Sequence, residues 1–127
     1  MKREQRYLKK IETLEKEVEF INTHKMEDGV SRRAVFYSLG VCIEIMMDLV
    51  AMKVKDSGLV VEDDYTNLEK LQEDGVLDGK DTETLRKYDG MRNIIIHRYN
   101  KVDTDVVKEG AKKIDGLMEI ALKITKD

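Results

Sequence analysis

The sequence predicts an all-α protein, an up-down bundle of four to five helices forming one domain over residues 1–127. Three observations carry that prediction. The 127 residues contain no proline, against an average of about 5%, so no residue forces a helix to kink. Tyr and Phe number only 5 and 2 and Trp is absent, which argues against a β-sandwich with its aromatic core and frequent turn signals. Hydrophobic residues make up 41% and charged residues 39% of the chain, too apolar for disorder and too charged for a membrane protein.

Each element follows from periodicity. In the first helix, about 3 to 24, Tyr7, Ile11, Leu14, Val18 and Ile21 form one narrow stripe on a charged background, the pattern of a surface helix. Asp28 and Gly29 end it, and Ser31 is a candidate N-cap for the next. The second helix, about 32 to 56, carries two adjacent stripes. One is Val35, Leu39, Cys42, Met46 and Leu49; the other is Phe36, Gly40, Ile43, Met47, Val50 and Val54. A face that broad belongs to a central helix or to one shared with another chain, and it predicts a homodimer joined through this helix. Gly58 suits the position after a helix C-terminus. Asp63 and Asp64 offer a cap for a short helix of about 65 to 74, closed by Gly75. Asp81 and Asp103 offer caps for helices of about 82 to 97 and 104 to 125, the last built on Val107, Ala111, Ile114, Met118 and Ala121.

The net charge is −3 and the isoelectric point about 5.5, so the chain as a whole is not built to bind a polyanion, and a nucleic-acid role needs a local basic groove. A single cysteine, Cys42, excludes a disulfide framework and a cysteine-based zinc site. The charged start, Met1 to Gln5, does not read as a signal peptide. No uninterrupted apolar run approaches the ~18 residues of a membrane span. A cytoplasmic protein without membrane contact is expected.

Most candidate sites have a plainer reading. Gly75, Gly79 and Lys80 faintly resemble a phosphate loop, but the glycines are one residue too close and Asp81 stands where Ser or Thr would hold magnesium; a helix connection is expected. Cys42 lies on an apolar stripe and reads as an inert buried thiol. Glu44 and Asp48, one turn apart, have no histidine on their helix to complete a metal set and are expected to pair with Arg or Lys. His24 reads as a surface residue at a helix end.

The segment from Tyr88 to Tyr99 is different. Tyr88, Arg92, Ile95 and Tyr99 share one stripe, and an arginine among such neighbours is costly to desolvate unless it meets an anion. Asn93 and His97 are one turn apart and can hydrogen-bond. Arg92 and His97 are about 140° apart on a regular helix and converge if the helix ends near His97. Spacing alone also admits a structural network, with Arg92 paired to Glu44 or Asp48.

Arg92 to Tyr99, R-N-I-I-I-H-R-Y, resembles the R-x-x-x-x-H-x-Y signature of the HEPN superfamily, and most of all its HepT branch, the toxin partners of MNT minimal nucleotidyltransferases. The likeness extends to Val41–Leu49 and to the layout from Leu68 to Val102. It implies a homodimeric helical bundle with two motifs facing across a cleft. It further implies a metal-independent, cofactor-free endoribonuclease in which the ribose 2′-hydroxyl attacks the adjacent phosphate. His97 is then the general base, Arg92 the phosphate clamp and Asn93 the residue that orients His97. Two copies of Arg92 and Arg98, with Lys101 nearby, are expected to supply the basic groove. Tyr99 is similar to the tyrosine that an MNT antitoxin modifies with AMP, a change that adds negative charge beside the cleft. The alternatives are a non-catalytic HEPN subunit that binds nucleotide or a nucleotidyltransferase, and a helical dimer with no site.

Overall fold

The computed structural model describes residues 2–97 and 101–126, without the side chains of 97 and 101–103. These residues form six helices: α1 (Arg3–Thr23), α2 (Gly29–Asp56), α3 (Asp64–Glu73), α4 (Gly79–His97), α5 (Lys101–Lys112) and α6 (Asp115–Thr125). No strand occurs among the described residues, as the proline-free sequence predicts. Helix α2 is the axis, and all five other helices pack against it.

Both apolar stripes of α2 are buried within the single chain. Leu39, Cys42, Ile43, Met46, Leu49 and Val54 have no solvent exposure, and of the named stripe positions only Gly40 is half-exposed. The expectation that this broad face serves a dimer is therefore corrected: the bundle has six helices rather than four or five, and the other five surround α2 and cover it. Averaged over 18 residues, α2 reaches a mean hydropathy of 1.8, long and apolar enough to cross a membrane, although 61% of that window is buried inside the bundle. That property escaped a search for uninterrupted runs, because Glu44 and Asp48 interrupt the apolar sequence.

The additional helix arises where the predicted 104–125 segment divides. At the junction, Ile114 N–H bonds Ala111 O at 3.3 Å and Leu117 N–H bonds Ile114 O at 3.0 Å, an i to i+3 pattern that winds the chain more tightly than an α-helix. The tighter turn advances the apolar stripe. Leu117 is fully buried where Met118 was expected, and Met118 is half-buried against the core.

Two caps also differ from expectation. Asp28, not Ser31, caps α2, accepting from the Ser31 N–H at 2.8 Å and the Ser31 hydroxyl at 3.1 Å. Asp78, not Asp81, precedes α4; it accepts from the Asp81 N–H at 2.8 Å while Asp81 reaches back to the Asp78 N–H at 3.3 Å, a reciprocal capping box. Helix α5 begins at Lys101, so Asp103 lies inside it rather than capping it. Asp63 caps α3 through the Thr66 N–H at 2.7 Å, as expected. Gly58 and Gly75, at φ +79° and +80°, end α2 and α3 in Schellman turns: Leu59 N–H bonds Val54 O, and Val76 N–H bonds Leu71 O. The Gly75–Asp81 stretch is thus a capped helix connection, and Lys123 of α6 holds Asp81 at 2.8 Å.

Candidate active site at the end of α4

Helix α4 is fixed along its length before it reaches the motif. Leu85 is fully buried, Tyr88 and Ile95 nearly so. The Tyr88 hydroxyl donates to the Gly110 carbonyl of α5 at 2.7 Å, and burial pushes its phenol up to about 12. At Gly110 the two helices nearly touch, since a Cβ there would lie 2.8 Å from the Met91 sulfur. A larger residue at 110 would have to displace the flexible end of the Met91 side chain and crowd the Tyr88 ring. Gly110 has no visible role in the sequence, because a helical glycine carries no sign of which neighbour approaches it.

Arg92 stands one turn beyond Tyr88, at the rim rather than in the core: its side chain keeps 34% exposure. The anions expected around it are carboxylates of the protein. Nη1 donates to Asp64 of α3 and to Asp89 of α4, each at 3.0 Å. Nη2 lies 3.9 Å from Glu44 of α2. The hydrogen bond that Arg92 donates to Asp89 holds the Arg92 pKa above its ordinary value. Asp64 is raised, chiefly by burial and then by neighbouring Asp89, with Arg92 opposing. Glu44 therefore pairs with Arg92, as one sequence reading expected. Asp48 pairs instead with Lys10 at 2.8 Å.

The expected concentration of free positive charge around the motif is corrected for Arg92, since three carboxylates surround its one guanidinium. Asp89 could have been found from its spacing, one turn before Arg92. Asp64 could not, because its approach depends on how α3 packs.

Arg92 opens into a shallow groove of about 190 Å³ between α2 and α4, lined by Tyr37, Gly40, Val41, Glu44, Ile95 and Ile96. Tyr37 and Ile96 are 74% and 63% exposed. Val30, Tyr37, Val41 and Glu44 follow one stripe of α2; Val30, Tyr37 and Glu44 are exposed and form its outward strip, while Val41 is half-buried and packs against the core. Asn93 is exposed, and His97, one turn later, is the last residue of α4 among the described residues. The His97 and Lys101 side chains, and the whole of Arg98 and Tyr99, lie outside the described residues.

The remaining candidates are structural. Cys42 is fully buried, and desolvation pushes its thiol up to about 12, which leaves it unreactive. His24 closes the end of α1, its Nδ1–H donating to the Phe20 carbonyl at 2.8 Å and its ring stacked on Phe20 at 3.9 Å.

A bundle of this topology, carrying R-N-x-x-x-H-x-Y from its fourth helix onward, matches a known family. The model of the HepT-like family, described as ribonuclease HepT-like, covers residues 5–124. The chain belongs to that family. It is 47% identical over 124 residues to a protein of Archaeoglobus fulgidus named "Putative RNase", spanning 98% of this chain and 94% of the relative. A toxin–antitoxin structure with AMP-PNP superposes at a TM-score of 0.86 with 17% identity, over 98% of this chain and 99% of that one. A tri-AMPylated Shewanella oneidensis HEPN toxin in complex with MNT antitoxin superposes at 0.74 with 18% identity, over 94% and 97% of the two chains. These two likenesses show the fold.

Proposed function

We propose that the protein is a HepT-like endoribonuclease toxin, acting in the cytoplasm without a metal or cofactor. The observation that carries this reading is the placement of Arg92, in a family of this name, at a groove, five residues before His97 on the same helix. The neutral His97 imidazole takes the proton from a ribose 2′-hydroxyl. The 2′-oxygen attacks the adjacent phosphorus and the 5′-oxygen leaves with a proton, giving a 2′,3′-cyclic phosphate and a 5′-hydroxyl. Arg92 holds the phosphate and its developing charge. Asn93, one turn before His97, orients the imidazole, and Arg98 and Lys101 extend the RNA contact.

The active form is a homodimer. Its interface is the outward strip of α2 with Ile96 of α4, in place of the inward face first expected. Exposed Val30, Tyr37 and Ile96 support that choice, and joining two such strips sets the two grooves side by side.

An MNT-type nucleotidyltransferase antitoxin silences the enzyme by adding AMP to Tyr99, which places phosphate charge where the RNA backbone must lie. The AMPylated toxin–antitoxin complex among the structural neighbours supports this regulation.

Purified protein incubated with RNA and EDTA tests the activity. The parent cleaves, and His97→Ala does not. A His97→Ala protein that retains most of its activity would overturn the catalytic reading and favour a phosphate-gripping, non-catalytic subunit. For the switch, Tyr99→Phe keeps its cleavage but escapes a cognate nucleotidyltransferase supplied with ATP; equal silencing of parent and variant would place the switch elsewhere.

A further inference from the structure

Arg92 is bonded unevenly. Its Nη1 group has two hydrogens, and Asp64 and Asp89 at 3.0 Å account for both. Among the described residues its Nη2 group has only Glu44, at 3.9 Å, beyond hydrogen-bond length. The aspartates and the glutamate also differ in exposure and position. Asp89 stands one turn before Arg92 on the same helix, and Asp64 is the first residue of α3. Their side chains are 26% and 39% exposed, against 67% for Glu44. Glu44 lines the groove with Arg92, whereas neither aspartate does.

We propose that Asp64 and Asp89 are positioning residues that lock the Arg92 guanidinium by its Nη1 end. The lock presents the Nε–Nη2 edge to the groove as a fork for a phosphodiester, which displaces Glu44 from Nη2 when it binds. A free arginine side chain samples many rotamers. Two charge-assisted hydrogen bonds at the far end from the groove hold one of them without occupying the edge that meets the substrate. The neighbouring phosphate sees a cost in return, since each carboxylate repels it. The lock therefore favours orientation over affinity.

The kinetic consequence rests on the ribonuclease reading above, while the mobility of Arg92 does not. Neither aspartate caps a helix, because Asp63 caps α3, so substitution leaves the bundle intact by circular dichroism. The experiment compares the parent with the Asp64→Ala/Asp89→Ala and Asp64→Asn/Asp89→Asn double variants. It reads the ¹⁵N relaxation of Arg92 Nε and the kcat and KM of RNA cleavage.

In the alanine protein Nε becomes mobile, kcat falls about 10- to 100-fold and KM does not rise, since repulsion has been removed along with orientation. The asparagine protein keeps an acceptor oxygen at each position, so Nε stays ordered, kcat stays within about threefold of the parent and KM falls. Equal Nε order in parent and alanine protein, or an alanine protein that cleaves as fast as the parent, overturns the proposal. If the parent cleaves no RNA but Nε loses order only in the alanine protein, the ribonuclease reading fails and the lock stands. If the parent cleaves and neither readout moves, the reverse holds.

Discussion

Two charged clusters in this bundle are near mirror images. In one, Asp56 of α2 gathers a hydroxyl and two cations: the Tyr7 hydroxyl donates to it at 2.7 Å, Arg3 Nε at 3.1 Å, and Arg6 lies 3.6 Å away. In the other, Arg92 gathers carboxylates. The first cluster closes on itself. Its central carboxyl is lowered, chiefly by the Tyr7 hydrogen bond, and Tyr7 is almost wholly buried. The second remains strained electrostatically: Asp64 is raised where a simple ion pair would lower it, and the guanidinium keeps one loosely held side facing a groove. A cluster made for stability satisfies its central charge. A cluster made for binding leaves part of that charge for something else. The contrast fits a structural role for Asp56 and the proposed phosphate-binding role for Arg92.

The largest expected effects break the second cluster. Arg92→Ala costs at least ~10²-fold in RNA cleavage, as does His97→Ala, while thermal unfolding of the Arg92 variant stays close to that of the parent. Arg92→Lys also fails, since an ammonium cannot make the planar fork. Cleavage assays beside melting curves check both halves of this expectation. A large loss of stability in Arg92→Ala would make the two clusters alike.

The converse applies to the first cluster. Tyr7→Phe removes the hydrogen bond to Asp56 and lowers stability by about 1–2 kcal/mol in urea unfolding, with cleavage unchanged. A core substitution beside it sets the scale: Leu49→Ala, at a fully buried position of α2, costs about 2–5 kcal/mol.

A smaller effect separates the clusters by pH. Asp56 and the capping carboxyls Asp28, Asp63 and Asp78 all lie below the ordinary value of 3.8. A depressed native value stabilises the fold above 3.8, and this contribution is lost as pH falls through the native values. Asp64 is raised above 3.8, so its ionised form opposes folding at neutral pH and acid relieves it. Four carboxyls against one predict a melting temperature that is level down to about pH 5 and drops below about pH 4. Asp56→Asn flattens that drop, and Asp64→Asn leaves it unchanged or steeper. A melting temperature that rises on acidification would contradict the assignment.

What the sequence revealed follows the same division. The stripes of α1 and α2 were legible because every core position lies on a regular 3.6-residue period, and Asp63, Gly58 and Gly75 announced their turns by residue type. The division between α5 and α6 was not legible: a turn of i to i+3 bonds needs no special residue, and only the shift from Met118 to Leu117 records it. At the site, Arg92 stood out as a charge on an apolar stripe. Its partner Asp64 lies 28 residues away in sequence and depends on the packing of α3 against α4. The inward face of α2 suggested a dimer because the number of helices available to cover it was underestimated by one.

The central claim is that Arg92 and His97 cleave RNA through its own 2′-hydroxyl. Analysis of the product ends tests it most directly, with parent protein, EDTA, and matched RNAs that are unmodified or fully 2′-O-methylated. The account predicts 2′,3′-cyclic phosphate and 5′-hydroxyl ends from the unmodified RNA and no cleavage of the methylated one. Fragments bearing 3′-hydroxyl and 5′-phosphate ends, or equal cleavage of the methylated RNA, would contradict it.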